Sequence, residues 1–453
     1  MKIDLLVAEI GSTTTVVNGF NGFDSCPSFI GQGQSPTSVL EGDVNIGLKG
    51  AIEDLSKKLG DTIEYKELIA TSSAAGGLRM TVHGLVYDMT VRAAKEAALG
   101  AGANIKLITA GKLRKSDLRK IREIEPNIIL IAGGVDYGER DTALYNGELI
   151  AEMNLGIPVI YAGNIENHED IRELFKDTES ELYIVDNVYP RIDELNIEPT
   201  RKVIQDVFEK HIIHAPGMEK IREMVTGPIM PTPGAVMAAS ELLFENLGDL
   251  MTIDVGGATT DVHSVAEDSD EISRILINPE PKAKRTVEGD LGVYVNMKNI
   301  VETVGKEDLS RELNISMEEL EDLIEHHKPI PETDLEKRFV ECLTLHATIT
   351  AVKRHAGQIK HLYGPSGKKT IAEGKDLTGV KYIIGTGGAL TRLPRRKKII
   401  NEILLSNTGN ILLPNKEAKI LIDNYYIMAS LGVMSKKYPE IALELLFNSL
   451  KEE

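Results

Sequence analysis

The sequence predicts an α/β protein of two related β-rich halves, with a parallel α/β segment set into the first half. Three observations predict it. A short acid-and-glycine hairpin occurs twice, once near the start of each half. Four apolar runs between residues 105 and 185 alternate with polar-faced helical stretches. The chain has 453 residues, too many for one small core.

Taken in order, residues 3–10 and 14–20 are β-rich runs separated by a Gly-Ser turn and read as a hairpin. Residues 40–59 have helical spacing, and 67–70 begin a short strand. The runs 105–110, 128–132, 158–161 and 182–185 alternate with helical stretches, the pattern of a parallel sheet flanked by helices. Residues 226–234, TGPIMPTPG, read as a domain junction. A helix is expected to start there, with Thr232 as cap and Pro233 in its first turn. It carries Ala235, Ala238 and Ala239 and ends near Gly248. A second hairpin follows over 250–266, a long helix over 332–362, a strand over 382–385, and helices near 425–436 and 438–450.

Composition bounds the function. Lys plus Arg total 51 against 69 Asp plus Glu, a formal charge of −18. A field of that sign repels phosphate backbones and anionic bilayers, so neither nucleic acid nor a membrane is expected as a partner. Cys26 and Cys342 are the only cysteines, which excludes a CxxC redox site and a four-cysteine metal or iron–sulfur site within one chain. A reducing cytoplasm is the simplest home. The histidines at 83, 168, 211, 214, 263 and 346 show no shared metal-ligand spacing.

The repeat carries the chemistry. Glu9-Ile10-Gly11-Ser12-Thr13-Thr14-Thr15 is matched by Asp254-Val255-Gly256-Gly257-Ala258-Thr259-Thr260. In each, a carboxylate ends an apolar strand, glycine and small residues make a turn, and two threonines start the next strand. Backbone N–H groups in such a turn form an anion-binding concavity, and the hydroxyls add donors. This suits a polyphosphate. Glu9 and Asp254 would repel phosphate, but they can hold Mg2+ or orient an attacking water. The plainer reading, two glycine-containing hairpins, does not account for their matched placement at the starts of both halves. A third segment, Gly385-Thr386-Gly387-Gly388 after an apolar strand, allows close backbone approach to an adenosine or ribose. A plain strand-to-helix turn is its ordinary alternative.

Weaker features flank these. Glu288 and Asp290 in RTVEGDLG are candidates to activate water, or an exposed acidic turn. Arg354, with Lys353 and His355, sits late on the helix before the third turn and belongs to a solvated helical face or, as a resemblance to Hsp70-like proteins implies, stacks on a base. Asp136, Arg140 and Asp141 lie at the end of an expected parallel strand, where ordinary turn chemistry explains them equally well. The segment at 364–370, GPSGKKT, lacks P-loop spacing and reads as a solvated loop.

The order of these three loops resembles the actin/Hsp70/sugar-kinase superfamily, whose first two loops clasp phosphates and whose third holds adenosine. The resemblance implies two ribonuclease-H-like domains around a nucleotide cleft: 1–104 with 191–248, and 249–424. An α/β subdomain is inserted over 105–190, and C-terminal helices including a hinge helix occupy 425–453. It implies ATP and Mg2+ as ligands. Glu9 departs from the Asp usual at its position and is one methylene longer. VAEIGSTTT, IGQGQSPTSVLEGDV (30–44), TSSAAGGLRM (71–80), IAGGVDYGERDTA (131–143), RTVEGDLG (285–292) and YIIGTGGALTRLP (382–394) narrow the match. Together they resemble the MutL-type accessory proteins of adenosylcobalamin-dependent glutamate mutase, which are unrelated to the mismatch-repair protein of the same name. The resemblance spans essentially the whole chain. It implies an ATP-binding, chaperone-like or reactivating-factor-like partner of a mutase, with ATPase activity in support of it. A small-molecule kinase of the same fold, or a non-hydrolysing scaffold, remains as an alternative. The inserted segment is not needed for the nucleotide loops and is expected to carry the contact with the mutase.

Overall fold

The first strand, β1 (Lys2–Ile10), is buried along almost its whole length, so KIDLLVAEI is apolar without a clear alternation. In this computed structural model, which describes residues 1–11, 14–73, 78–211, 217–277, 280–364, 367–407 and 409–451, β1 is a central strand. It turns back as β2 (Thr14–Asn21), and β2 turns back as β3 (Ser28–Pro36), all antiparallel. β3 is the edge, and its Gly/Gln/Ser sequence is largely exposed or half-buried. The helix Val44–Leu59, capped by Asp43 on the N–H of Asn45 at 3.0 Å, leads to β4 (Glu64–Ser72), parallel to β1.

The chain then builds a separate all-parallel sheet from β5 (Arg79–Gly84), β6 (Asn104–Ala110), β7 (Ile128–Ile131), β8 (Val159–Tyr161) and β9 (Leu182–Ile184). Its order is β6-β5-β7-β8-β9. The four expected runs are four of these strands. The fifth, β5, lies upstream of residue 105 and pairs with both β6 and β7. After this insertion β10 (Ile229–Pro231) completes the first sheet, in the order β10-β4-β1-β2-β3.

The second half repeats the plan. β11 (Leu250–Val255), β12 (Thr260–Val265) and β13 (Ala283–Glu288) form an antiparallel meander. A two-stranded hairpin follows, β14 (Gln358–Gly364) with β15 (Gly367–Glu373). β16 (Tyr382–Thr386) and β17 (Lys419–Ile422) then run parallel to β11, giving the order β13-β12-β11-β16-β17. Numbered within each half, both sheets read 3-2-1-4-5, with three antiparallel strands followed by two parallel ones. That is the ribonuclease-H-like order twice over, the actin-like ATPase fold with a parallel α/β insertion.

By contacts the chain forms two compact units, Met1–Ala238 with Ala429–Leu445, and Ala239–Met428 with Leu446–Glu453. In the first unit, alternate residues of β7 serve two cores. Ile128 and Leu130 join Ile3, Leu6 and Leu68, whereas Ile129 and Ile131 join Ile121, Ile150 and Phe175. The core of the second unit gathers Met251, Ile253, Phe339, Leu343, Ile383 and Ile400.

Three expectations are corrected. The long helix is Asp334–His355, not 332–362. A capping box starts it, with Thr333 Oγ1 accepting from Glu336 N–H at 3.1 Å. It stops where the His355 ring bonds Ser264 Oγ at 2.8 Å and Thr286 Oγ1 at 2.9 Å. The residues beyond form β14, so 364–370 belongs to a hairpin, whose residues 365–366 lie outside the described ones. The helix expected near 425–436 is Met428–Met434. It meets the helix Thr232–Leu247 at Gly432, where a Cβ would lie 1.8 Å from the Ala235 carbonyl oxygen. Ser12, Thr13, His214 and residues 74–77 of the 71–80 motif also fall outside the described residues. Among the described residues no helix is long and apolar enough to cross a membrane.

Candidate functional site

The two acid-and-glycine turns have the same construction. Gly11 N–H donates to Thr14 O at 3.0 Å, and Gly256 N–H donates to Thr259 O at 2.9 Å. Ile10 faces Thr15 across the first hairpin, as Val255 faces Thr260 across the second. Glu9 and Asp254 therefore hold the same position, the last residue but one of a central strand. In the second turn Gly257 and Ala258 are exposed, and among the described residues their N–H groups donate to no acceptor. The Gly257 carbonyl accepts from Tyr294 at 2.9 Å and Val295 at 2.7 Å, which fixes the turn from behind. Thr14 is exposed and Thr259 half-buried, whereas Thr260 donates its hydroxyl to Leu291 O at 2.7 Å and stays in the core.

The two acids differ in surroundings. Glu9 is buried and accepts from Ser430 Oγ at 2.6 Å and Asn18 Nδ2 at 3.2 Å. Gln32 Nε2 donates to Asn18 Oδ1 at 2.8 Å, so the first carboxylate sits at the end of a polar chain. Asp254 is half-buried, and its pKa is pushed up to about 7. Burial is the main cause, and the carboxylates of Asp261 and Asp423 add to it against the opposing charge of Arg285. Asp261 faces Asp254 across β11 and β12 and forms a buried ion pair with Arg285 at 2.9 Å. Asp423, just past β17, accepts from Thr386 Oγ1 (3.0 Å), Ser449 Oγ (2.6 Å) and the N–H groups of Ile427 and Met428. Burial raises its pKa as well.

The third turn lies against the second acid. Gly387 has φ +83°, and a Cβ there would come within 2.4 Å of Asp254 Oδ1. Gly385 is buried, and Thr386 spends its hydroxyl on Asp423. Gly388 faces open space. One cavity of about 270 Å3 in the second unit is lined by Gly256 and Gly257 from the second turn and by Gly388 from the third. Arg392, Tyr426 and Lys337 also line it. The Arg392 guanidinium stands 5.7 Å from the Tyr426 ring centre. Apolar Ile330, Val340 and Leu393 complete the walls.

Sequence reasoning names the loops of this site and one of its three acids. Glu288 ends β13 opposite Thr260, and it is brought together with Arg354 at 2.6 Å. Asp290 joins them, accepting from both guanidinium nitrogens of Arg354, which holds its carboxyl below the usual range. Arg354 is thus tied to two carboxylates, while the arginine lining the cavity is Arg392. Asp136 accepts from Asn187 Nδ2 at 2.9 Å and Ile165 N–H at 3.1 Å, and Arg140 pairs loosely with Glu166 at 3.7 Å, the work of a loop rather than of the cavity. Sequence reasoning misses Asp261, Asp423, Arg392 and Tyr426. Signals for three of them are present: Asp261 is the second residue of the strand after the second turn, Asp423 follows an apolar run as Asp254 does, and Arg392 follows Gly387-Gly388 by one helical turn.

The sequence matches the family model described as MutL protein over residues 5–450. It is 35% identical over 422 residues to Protein MutL of Clostridium tetanomorphum, spanning 90% of this chain and 91% of that protein. Among solved structures it is similar to nucleotide-free acetone carboxylase, with 12% identity, 96% of this chain and 70% of that chain covered and a TM-score of 0.41. It is also similar to a glycerol dehydratase reactivase, with 12% identity, 95% and 99% covered and a TM-score of 0.33. The fold rests on the repeated strand order and not on these distant likenesses. The near-complete family match, together with the curated relative, settles the lineage that the motif set resembles: the chain belongs to the MutL family.

Proposed function

We propose that the protein binds Mg2+-ATP and acts in the cytoplasm as an accessory, reactivating-factor-like or chaperone-like, to an adenosylcobalamin-dependent amino-acid mutase, glutamate mutase. One observation carries the nucleotide. In the second unit, an open glycine turn and a second glycine turn share a cavity, and Gly387 of the second turn lies against the Asp254 carboxylate that precedes the first. The residues fit the ligand. Asp254 offers carboxylate oxygen of the kind a hard divalent cation takes, often through its waters, whereas Asp261 is engaged by Arg285 and Asp423 by Thr386, Ser449, Ile427 and Met428. A cation would also relieve the repulsion that raises the pKa of Asp254. Mg2+ supplies neutralisation of phosphate oxygens. The unengaged N–H groups of Gly257 and Ala258 suit those oxygens. Tyr426 and Arg392 suit a base, by stacking, and we assign that role to Arg392 rather than Arg354. Gly11, Ser12, Thr13 and Thr14 are assigned the same anion-binding part in the first unit, with Glu9 as its metal contact. Glu288 is assigned the orientation of water near Thr260.

Membership of the MutL family supports the mutase as partner. The contact is assigned to the inserted sheet. Exposed Val86, Tyr87, Tyr137, Ile165 and Ile192 all lie beyond the C-terminal ends of its parallel strands. Calorimetry with Mg2+-ATP should show binding, and phosphate release should rise when mutase carrying inactive cobalamin is added. No heat at millimolar ATP would sink the nucleotide assignment. Phosphorylation of an added metabolite would favour a kinase instead.

A further inference from the structure

We propose that Glu312, Cys342 and His346 form a binding site for a transition-metal ion, Zn2+, on the helical part of the second unit. The inference goes beyond the nucleotide reading and does not depend on it. Cys342 and His346 are four apart on the helix Asp334–His355 and so project from one face. Glu312 comes from a separate helix, Lys306–Leu313. His346 Nε2 stands 2.9 Å from Glu312 Oε2. One ligand atom from each of the three residues falls within 4.8 Å of the other two. Around a tetrahedral zinc ion, bond lengths of about 2.0–2.3 Å set ligand atoms roughly 3.3–3.8 Å apart. The observed spacing brackets that range. Glu312 is exposed and His346 half-buried, so modest side-chain rotation closes the set on an ion.

The donor set selects the metal. A thiolate and an imidazole suit Zn2+ and its neighbours in the first transition row, whereas Mg2+ and Ca2+ take oxygen. An ordinary surface pair of His346 with Glu312 explains two of the groups. The buried Cys342 thiol also hydrogen-bonds Glu312, so imidazole and sulfur converge on one carboxylate; burial and that carboxylate push the thiol's pKa up, which a bound cation would reverse. Histidine spacing alone could not reveal the site, because its members are of three residue types and come from two helices.

Three protein ligands leave a fourth position open, and the surroundings give access to it. A cavity of about 380 Å3 is lined by Glu312 and Cys342, and another of about 300 Å3 by Glu312 and His346. Water or a small ligand can therefore reach the ion from either side. The nearby arginines are engaged elsewhere: Arg338 donates to Leu313 O, and Arg395 lies 3.7 Å from Glu341. A metal here would join the helix Lys306–Leu313 to the helix whose Lys337 and Val340 line the nucleotide cavity.

The test uses untagged full-length protein stripped with a chelator and titrated with Co2+ as a spectroscopic substitute for Zn2+. We expect one equivalent to bind, with a thiolate-to-cobalt charge-transfer band that Zn2+ then bleaches. Cys342→Ser should lose the band, and Cys26→Ser should keep it. His346→Ala and Glu312→Gln should each weaken binding by roughly tenfold or more. Circular dichroism of each metal-free variant checks folding, and the half-exposed His346 and exposed Glu312 tolerate change if Cys342→Ser does not fold. Absence of a charge-transfer band at micromolar Co2+, or an unchanged band in Cys342→Ser, overturns the proposal. Mg2+-ATP binding is measured in parallel on the same samples, so failure of one site is distinguishable from failure of the other.

Discussion

Asp254 titrates near neutrality because burial strips water from its carboxylate and it shares its surroundings with other acids. In the unfolded chain it loses its proton near pH 3.8. Between that value and about 7 the unfolded chain ionises while the folded protein still holds the proton, so rising pH costs the fold stability. Below the unfolded value both states are protonated and the cost vanishes. Asp254→Asn removes the group that ionises. We expect the variant to be more stable than the parent at pH 8, by on the order of 2 kcal/mol, with the advantage shrinking towards pH 5. Urea unfolding at several pH values measures it, and a pH-independent difference would refute the titration of Asp254. The same variant should lose most of its Mg2+-ATP affinity. Gly387 tests the neighbouring turn. With φ +83° and Asp254 Oδ1 only 2.4 Å from any Cβ, Gly387→Ala should cost about 2 kcal/mol or more and abolish nucleotide binding. Gly388→Ala meets open space and should leave the melting temperature nearly unchanged. Equal effects from the two would mean the third turn is not pressed against Asp254. Asp254 is legible because strand, acid and glycine are adjacent in sequence. Asp423 and Ser430 are not, because Thr386 lies 37 residues from Asp423 and Glu9 lies 421 residues from Ser430.

Secondary elements are legible where periodicity and punctuation agree, and less so where they part. A helix over 332–362 is too long because QIKHLY continues an apolar rhythm past His355. Tertiary bonds from His355 to β12 and β13 end the helix, and the alternation that follows suits β14. The edge strand β3 escapes a sequence reading, since IGQGQS lacks the apolar alternation of a half-buried strand and pairs only on one side. The small residues of the last helices permit close approach, and Gly432 makes it against the helix Thr232–Leu247. A methyl group added at Gly432 would sit 1.8 Å from a backbone carbonyl oxygen, which cannot swing aside. Gly432→Ala should therefore separate the two helices and cost roughly 1–3 kcal/mol or more. Ser430 lies on the same helix and donates to Glu9, so the substitution should also disturb the first turn. Thermal unfolding that matches the parent within a degree would show that the helices do not pack this closely.

At the scale of the whole chain the duplication is legible, because a hairpin turn is local and its two copies can be compared by eye. The parallel insertion is legible for the same reason: each apolar run announces itself. The way the insertion joins its host is not. β5 precedes the insertion's first recognisable run, yet it lies between β6 and β7. One face of the inserted sheet shares the core of the first sheet through Met80, Val82, Ile128, Leu130 and Ile160. Excising residues 105–190 would strip β5 of both partners and open that core, so we expect such a deletion to misfold and to say nothing about the mutase. The partner contact has to be tested on the surface. Tyr87, Tyr137 and Ile192 are 58%, 79% and 70% exposed beyond the C-terminal ends of β5, β7 and β9. Exposed charged residues flank them in sequence, the acids Asp88, Glu139, Asp141, Asp186 and Asp193 outnumbering Arg140 and Arg191. Apolar anchors on loops with an excess of carboxylates suit a partner surface that is apolar at its centre and carries basic groups. The triple substitution of Tyr87, Tyr137 and Ile192 by serine should leave the melting temperature and Mg2+-ATP affinity near those of the parent. Mutase binding should fall by roughly tenfold or more, because a few central side chains carry most of an interface's energy. Raising the salt should slow association with the parent, as expected for steering by the excess of acidic charge. If the triple variant binds glutamate mutase at full strength, the contact lies elsewhere on the molecule. If it loses mutase but still turns over ATP, the inserted sheet is the docking face and the nucleotide site works without it.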